Sequence, residues 1–193
     1  TSKRPQTTRN RITGIHTVGD DQYVFLDTPG VHRPRTRLGD YMVKTATGVL
    51  GDSDATILVV EPREAIGDIE ADILAKIKKS KLSCILVINK TDTVTAKNIA
   101  KTIEAYAAAH DFDAVVPLSA KSGKGVEILL SECRRYLTES VWFFPEDIVT
   151  DQPERQIAAE IIREKLLRTL EEEVPHGTAV VIEEFKEEGE LLR

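Results

Sequence analysis

The stretch Asn89-Lys90-Thr91-Asp92 carries the most chemistry in the fewest residues. It closes the apolar run Cys84-Ile85-Leu86-Val87-Ile88, which reads as a buried parallel strand. A strand ending this way delivers a carboxylate to the carboxyl edge of a sheet, where open α/β folds bind ligands. An ionised Asp has two acceptor oxygens and no donor. Guanine presents two adjacent N–H donors on one edge, and adenine cannot match that pair. The stretch therefore reads as a guanine reader.

Three other elements fit the same chemistry. Asp27-Thr28-Pro29-Gly30 follows the apolar run Tyr23-Val24-Phe25-Leu26. In a nucleoside triphosphatase such an Asp orients a Mg²⁺-bound water and the Gly amide meets a γ-phosphate. Ser119-Ala120-Lys121 follows Ala114-Val115-Val116-Pro117-Leu118 and can line the base pocket through its backbone. Gln6-Thr7-Thr8-Arg9 precedes a further strand pattern and can offer a threonine hydroxyl to Mg²⁺. Each alone also describes an ordinary loop. Four of them, in this order and each at a strand edge, form a specific constellation.

The elements that must hold these residues are legible in the pattern. Strands are expected at residues 12–17, 22–27, 55–61, 82–89 and 114–119, the first two joined through Val18-Gly19-Asp20-Asp21 as a hairpin. The later strands alternate with helices, which implies parallel crossovers. Ile66, Ile69, Ile73, Leu74 and Ile77 keep helical spacing, as do Ile99, Ile103 and Tyr106, and again Val126, Leu129, Leu130, Cys133 and Leu137. Each set reads as a face packed on the sheet. Residues 33–53 are expected to form a second switch and a helix. A helix over about 153–170, with Ile157, Ile161, Ile162, Leu166 and Leu170 as an apolar stripe, and a strand over about 178–185 complete the pattern.

One expected part is missing from the sequence. The loop G-x-x-x-x-G-K-[ST], whose N–H groups and Lys cradle phosphates, does not occur. Its nearest imitation, Gly123-Lys124, has Leu118 in place of the first Gly and Gly125 in place of the hydroxyl residue. That segment reads better as a loop entering the next helix.

With 193 residues, 41% hydrophobic and 30% charged, the chain has room for one domain and part of another. A net charge of −6 argues against general nucleic-acid binding by the whole chain. The distribution is uneven: Lys3, Arg4, Arg9 and Arg11 make the start basic, and residues 171–173 and 183–190 make the end acidic. Cys84 and Cys133 are far apart and fit no metal or redox spacing, so both read as small buried hydrophobes.

The chain resembles the Era family of ribosome-assembly GTPases over nearly its whole length. The resemblance is carried by Gln6-Thr7-Thr8-Arg9, Asp27-Thr28-Pro29-Gly30, Asn89-Lys90-Thr91-Asp92 and Ser119-Ala120-Lys121. It is sharpened by Phe144-Pro145-Glu146-Asp147 and by Glu160-Ile161-Ile162-Arg163-Glu164-Lys165, which are similar to the linker and first KH-type helix of that family. The fold implied is α/β, a P-loop GTPase three-layer sandwich with a mixed, mostly parallel sheet, followed by the start of a KH-type α+β domain. The first strand, which in the family carries the phosphate loop and lies between the strand ending at Asp27 and that beginning near Ala55, has no counterpart here. The domains implied are a GTPase domain over 1–140, a linker over 141–152 and the start of a KH-type RNA-binding domain over 153–193. The chain thus reads as a fragment that begins inside the first switch region and lacks the Gly-x-x-Gly loop.

The resemblance implies GTP/GDP and Mg²⁺ as ligands. It assigns nucleotide binding to Asp27, Thr28, Pro29, Gly30, Asn89, Lys90, Thr91, Asp92, Ser119, Ala120 and Lys121. It assigns Mg²⁺ to Thr8 and Asp27, and catalysis to Thr8 and Gly30. Val31, after Gly30, has no polar atom to orient water, so slow intrinsic turnover is expected. The parent is expected to hydrolyse GTP and to bind the small ribosomal subunit and its RNA, as a cytoplasmic monomer with peripheral contact at the inner face of the cell membrane. The fragment alone is expected to be inactive. The alternatives are a non-catalytic binding fragment or another GTPase of the same class.

Overall fold

The computed structural model describes residues 12–27, 53–169, 180–184, 187–188 and 191–192. Strands β1 (Ile12–Val18) and β2 (Asp21–Asp27) form an antiparallel hairpin in register Ile12↔Asp27 through Val18↔Asp21. The two-residue turn between them needs a positive φ, and Gly19 supplies it at 57°. Because the register pairs Ile12 with Asp27, these two residues lie side by side at the open end of the hairpin.

A second sheet has the order β3 (Ala55–Val60), β4 (Ser83–Ile88), β5 (Ala114–Pro117), all parallel. Helix α1 (Asp68–Ser80) connects β3 to β4, and α2 (Ala96–Ala109) connects β4 to β5. Helix α3 (Val126–Arg134) follows β5. The chain is therefore α/β, as expected. Central β4 is buried on both faces, which is why its sequence is an unbroken apolar run rather than an alternating one. Its period of two still sorts the core into two layers. Cys84, Leu86 and Ile88 join Leu74, Ile77 and Tyr106 from α1 and α2 on one side. Ile85 and Val87 join Val116, Leu118, Leu129 and Cys133 on the other, with α3. Burying each such aliphatic side chain contributes about 1.5–3 kcal/mol, so the two layers dominate the energetics of the sheet.

β2 and β3 belong to different sheets. The strand ending at Asp27 and the one beginning at Ala55 are thus not paired with each other among the described residues, and Val59 of β3 is exposed.

The segment 141–152 lies along the β1–β2 hairpin. Ile15 N–H donates to the Val149 carbonyl at 2.8 Å, extending the hairpin edge. Thr150 Oγ1 donates to the Thr13 carbonyl at 2.6 Å, and Thr13 Oγ1 donates to Asp151 at 3.0 Å. Trp142 Nε1 donates to the Asp20 carbonyl at the turn, at 2.9 Å. The aromatic linker is therefore strapped to the sheet by polar contacts, while Phe143 stays exposed.

Helix α4 (Glu154–Thr169) matches its expected span, but its apolar stripe does not hold. Ile161 and Ile162 are exposed, and Arg163, at 5% exposure, is turned inward with Glu160 3.5 Å away. A hydrophobic spacing fixes a face only where a partner covers it; Ile157 and Leu166 are half-buried, while Ile161 and Ile162 between them are left open. The strand expected over 178–185 is also absent from its described part, 180–184. Strand propensity is realised only through a pairing neighbour, and the pairing found lies further on. There β6 (Glu187–Glu188) and β7 (Leu191–Leu192) make a two-rung antiparallel ladder. The expected switch and helix over 33–53 lie outside the described residues apart from Ser53.

Candidate nucleotide site

The site grows from the carboxyl ends of β4 and β5. Asn89 N–H donates to the Val60 carbonyl at 2.8 Å and Leu118 N–H to the Ile88 carbonyl at 2.9 Å, continuing the ladders one residue past each strand. Thr91 N–H then reaches the Leu118 carbonyl at 3.2 Å. The two loops that leave the sheet here, 89–93 and 119–125, are thereby drawn side by side.

Asn89 ties them together. Its Oδ1 accepts from Ala120 N–H at 3.0 Å and from Lys90 N–H at 2.7 Å. Lys90 takes the left-handed conformation, φ 62°. That turn carries the chain into a short 3₁₀ segment, Thr91–Thr93, and Thr93 caps it by donating N–H and Oγ1 to the Lys90 carbonyl at 3.0 and 2.8 Å. Asp92 is exposed on this segment. Ser119, only 1% exposed, donates Oγ to Asp92 Oδ1 at 2.6 Å. This hydrogen bond, aided by the charge of Lys121, holds the Asp92 carboxyl below its ordinary value. The carboxylate is ionised at neutral pH and aimed by a buried hydroxyl. It can accept from two adjacent N–H groups.

The second loop is shaped by glycine. Ser119 N–H donates to the Lys124 carbonyl at 2.9 Å, folding residues 119–124 back on themselves. Gly125 closes the fold with φ 86°, and a Cβ there would lie 2.8 Å from the Pro117 carbonyl oxygen. Helix α3 begins at the next residue. Gly123-Lys124 is thus a helix-entry loop and not a phosphate loop, as its neighbours implied.

Asn89, Lys90, Thr91, Asp92, Ser119, Ala120 and Lys121 are brought together on adjoining loops. Asp27 stands exposed at the end of β2, a hard oxygen donor of the kind Mg²⁺ takes. Thr8, Thr28, Pro29 and Gly30 lie outside the described residues. Two residues of this region give no motif signal. Glu61, just past β3, pairs with Lys90. Thr102, fully buried on α2, holds the loop after β3: its Oγ1 accepts from Arg63 N–H at 3.0 Å and lies 2.9 Å from the Arg63 carbonyl. A hydroxyl residue within the apolar spacing of Ile99, Ile103 and Tyr106 was the available sign of Thr102. Nothing marked Glu61.

The family model described as 50S ribosome-binding GTPase matches residues 1–90. The chain is 41% identical over 191 residues to GTPase Era of Ruminiclostridium cellulolyticum, covering 99% of this chain and 64% of that protein. It is 43% identical over 185 residues to GTPase Era of Syntrophus aciditrophicus, covering 96% and 60%. Among solved structures it is similar to Era in complex with MgGDPNP and nucleotides 1506–1542 of 16S ribosomal RNA, with a TM-score of 0.89, 36% identity and coverage of 96% of this chain and 64% of that one. An Aquifex aeolicus Era variant bound to GDP and AlF4⁻ matches with the same TM-score, identity and coverage. The chain therefore spans less than two thirds of the length of these relatives. Across the segment it spans, the chain is similar to the Era family of GTPases.

Proposed function

We propose that the protein carrying this chain binds guanine nucleotides at the loops after β4 and β5 and hydrolyses GTP to GDP. The observation that carries the reading is the Asp92 carboxylate, ionised, exposed and aimed by Ser119, beside a loop pair that Asn89 locks together. Asp92 accepts from the two N–H donors of guanine. Ala120 and Lys121 line the base through the backbone. Asp27 and Thr8 would hold Mg²⁺, which when bound supplies positive charge for the phosphates. Gly30 would donate its N–H toward the γ-phosphate, and Val31 leaves water to be positioned by other groups. The phosphate cradle supplies charge-assisted hydrogen bonds about twice as strong as neutral ones. A chain without that loop therefore binds nucleotide weakly and does not turn it over.

Likeness to an Era solved with a 16S ribosomal RNA segment supports ribosomal RNA of the small subunit as the partner, and with it a role in assembling that subunit. In this reading residues 1–140 form the GTPase unit, 141–152 the linker and 153–193 the start of the RNA-binding unit. In the same reading the protein is a cytoplasmic monomer, with peripheral membrane contact as a secondary association.

The test is base selectivity in the full-length protein. Asp92→Asn replaces one acceptor by a donor, so GTP should weaken strongly and XTP, with an acceptor where guanine has a donor, should gain. Competition among GTP, ATP and XTP reads the outcome. An Asp92→Asn protein that still prefers GTP would overturn the assignment.

A further inference from the structure

We propose that Glu61 is a positioning residue for the base site: it holds the Lys90 ammonium so that Lys90 forms a fixed wall and leaves Asp92 to the base. The inference rests on the guanine reading above and assigns a part of that site that no motif names.

The backbone of Lys90 is pinned on both sides, by Asn89 Oδ1 at its N–H and by Thr93 at its carbonyl. Its side chain is the remaining freedom, and its Nζ is engaged by Glu61 Oε1. Glu61 is not on a loose loop. It follows Val60, whose carbonyl is held by Asn89, and it precedes Arg63, whose backbone N–H and carbonyl both meet the buried Thr102 hydroxyl. Glu64 is tied to Lys101 at 2.6 Å and Arg63 lies 3.7 Å from Glu70. The segment that carries Glu61, residues 60–64, is therefore tied to α1, α2 and the end of β4 at once.

The Glu61–Lys90 pair is about half exposed on both sides, with side-chain exposures of 52% and 47%. Exposed ion pairs contribute little to stability. A pair supported by this many contacts and worth so little to folding is better matched to ordering a ligand wall. A long lysine that must be immobilised on binding costs affinity, and one ordered beforehand does not. Release would also free an ammonium two residues from Asp92 to compete with the base for that carboxylate.

The experiment uses the full-length protein and GDP. Glu61→Gln should weaken GDP by about three- to tenfold, the scale of ordering one long side chain, with the melting temperature unchanged. In Lys90→Ala the further change Glu61→Gln should add nothing, because Glu61 acts only through Lys90. Asp92→Asn is measured alongside. If Asp92→Asn shifts preference to xanthine nucleotides while Glu61→Gln leaves GDP affinity unchanged, or weakens it equally in the Lys90→Ala background, the positioning role is wrong and the base site stands. If Asp92→Asn leaves guanine preference intact, both fall together.

Discussion

The Gln22 carboxamide binds Phe144 through both of its heteroatoms. Nε2 donates to the Phe144 carbonyl at 2.9 Å, and Oε1 accepts from the Phe144 N–H at 3.1 Å. The same Oε1 accepts from Phe143 N–H at 3.0 Å, and Nε2 reaches Thr17 Oγ1 at 3.1 Å. A side chain on β2 thus reads the backbone of the linker. β2 is the strand that ends in Asp27, so the linker is fastened to the element that carries a proposed Mg²⁺ ligand.

Gln22→Glu tests this clasp while keeping its size. One carboxylate oxygen still accepts from the linker amides, but the other opposes the Phe144 carbonyl. The cost should be about 1–2 kcal/mol, from lost bonds and an unpaired acceptor. Hydrogen exchange at the Phe143 and Phe144 amides should accelerate, and the linker should become easier to cleave. Exchange at the rate of the unaltered protein would show that the clasp does not hold the linker.

The sequence made β3, β4 and β5 legible because each is an apolar run at its own strand length, and made α1 to α3 legible because their inner faces keep helical spacing. Asn89, Asp92 and Ser119 were legible because their types and order match the chemistry of a base edge. Glu61 was not, since a single carboxylate after a strand has no pattern. Its partner comes from 29 residues away and is set by β3–β4 pairing. Gln22 was illegible for the same reason at a separation of 122 residues. The apolar stripe read on α4 failed because spacing records a face but not what covers it. Arg163 occupies the interior there, with Glu160 close by.

Thr102 should be sensitive to a change that preserves shape. Thr102→Val keeps the volume but removes the acceptor for Arg63 N–H. Losing this part-buried hydrogen bond costs about 0.5–1.5 kcal/mol, which for a chain of this size is a fall in melting temperature of roughly 2–4 °C per kcal/mol. Thr102→Ser, which keeps the hydroxyl, should lose less. Equal losses in Val and Ser variants would mean that packing, not the hydroxyl, is what matters.

Ser119 should set the titration of Asp92. The folded value lies below the ordinary one, first because of the Ser119 hydrogen bond. The stabilisation from this pair is therefore present above the ordinary Asp range and is lost as the pH falls through the lowered folded value. Ser119→Ala should move the Asp92 titration back up toward the ordinary carboxylate value. Carboxyl ¹³C shifts followed across acid pH read this directly. A midpoint that does not rise in Ser119→Ala would remove Ser119 as the cause.

Gly125 and Gly123 should respond differently to the same substitution. Both have positive φ, 86° and 78°, which any L side chain resists. A Cβ on Gly123 meets nothing within 4 Å, so Gly123→Ala should cost only the conformational term, about 1–2 kcal/mol. A Cβ on Gly125 would lie 2.8 Å from the Pro117 carbonyl oxygen and 2.9 Å from Leu118 Cβ. Neither atom is at the end of a flexible side chain, so β5 or the loop must move. Gly125→Ala should therefore lose more stability than Gly123→Ala by about 1–3 kcal/mol. Because Leu118 precedes Ser119, the shift should also reach the Ser119–Asp92 hydrogen bond, and guanine nucleotide affinity should fall in Gly125→Ala while it holds in Gly123→Ala. Denaturant midpoints and nucleotide titrations on the two variants, made in the full-length protein, give both comparisons. Equal stability losses would show that the close approach to Pro117 relaxes without cost.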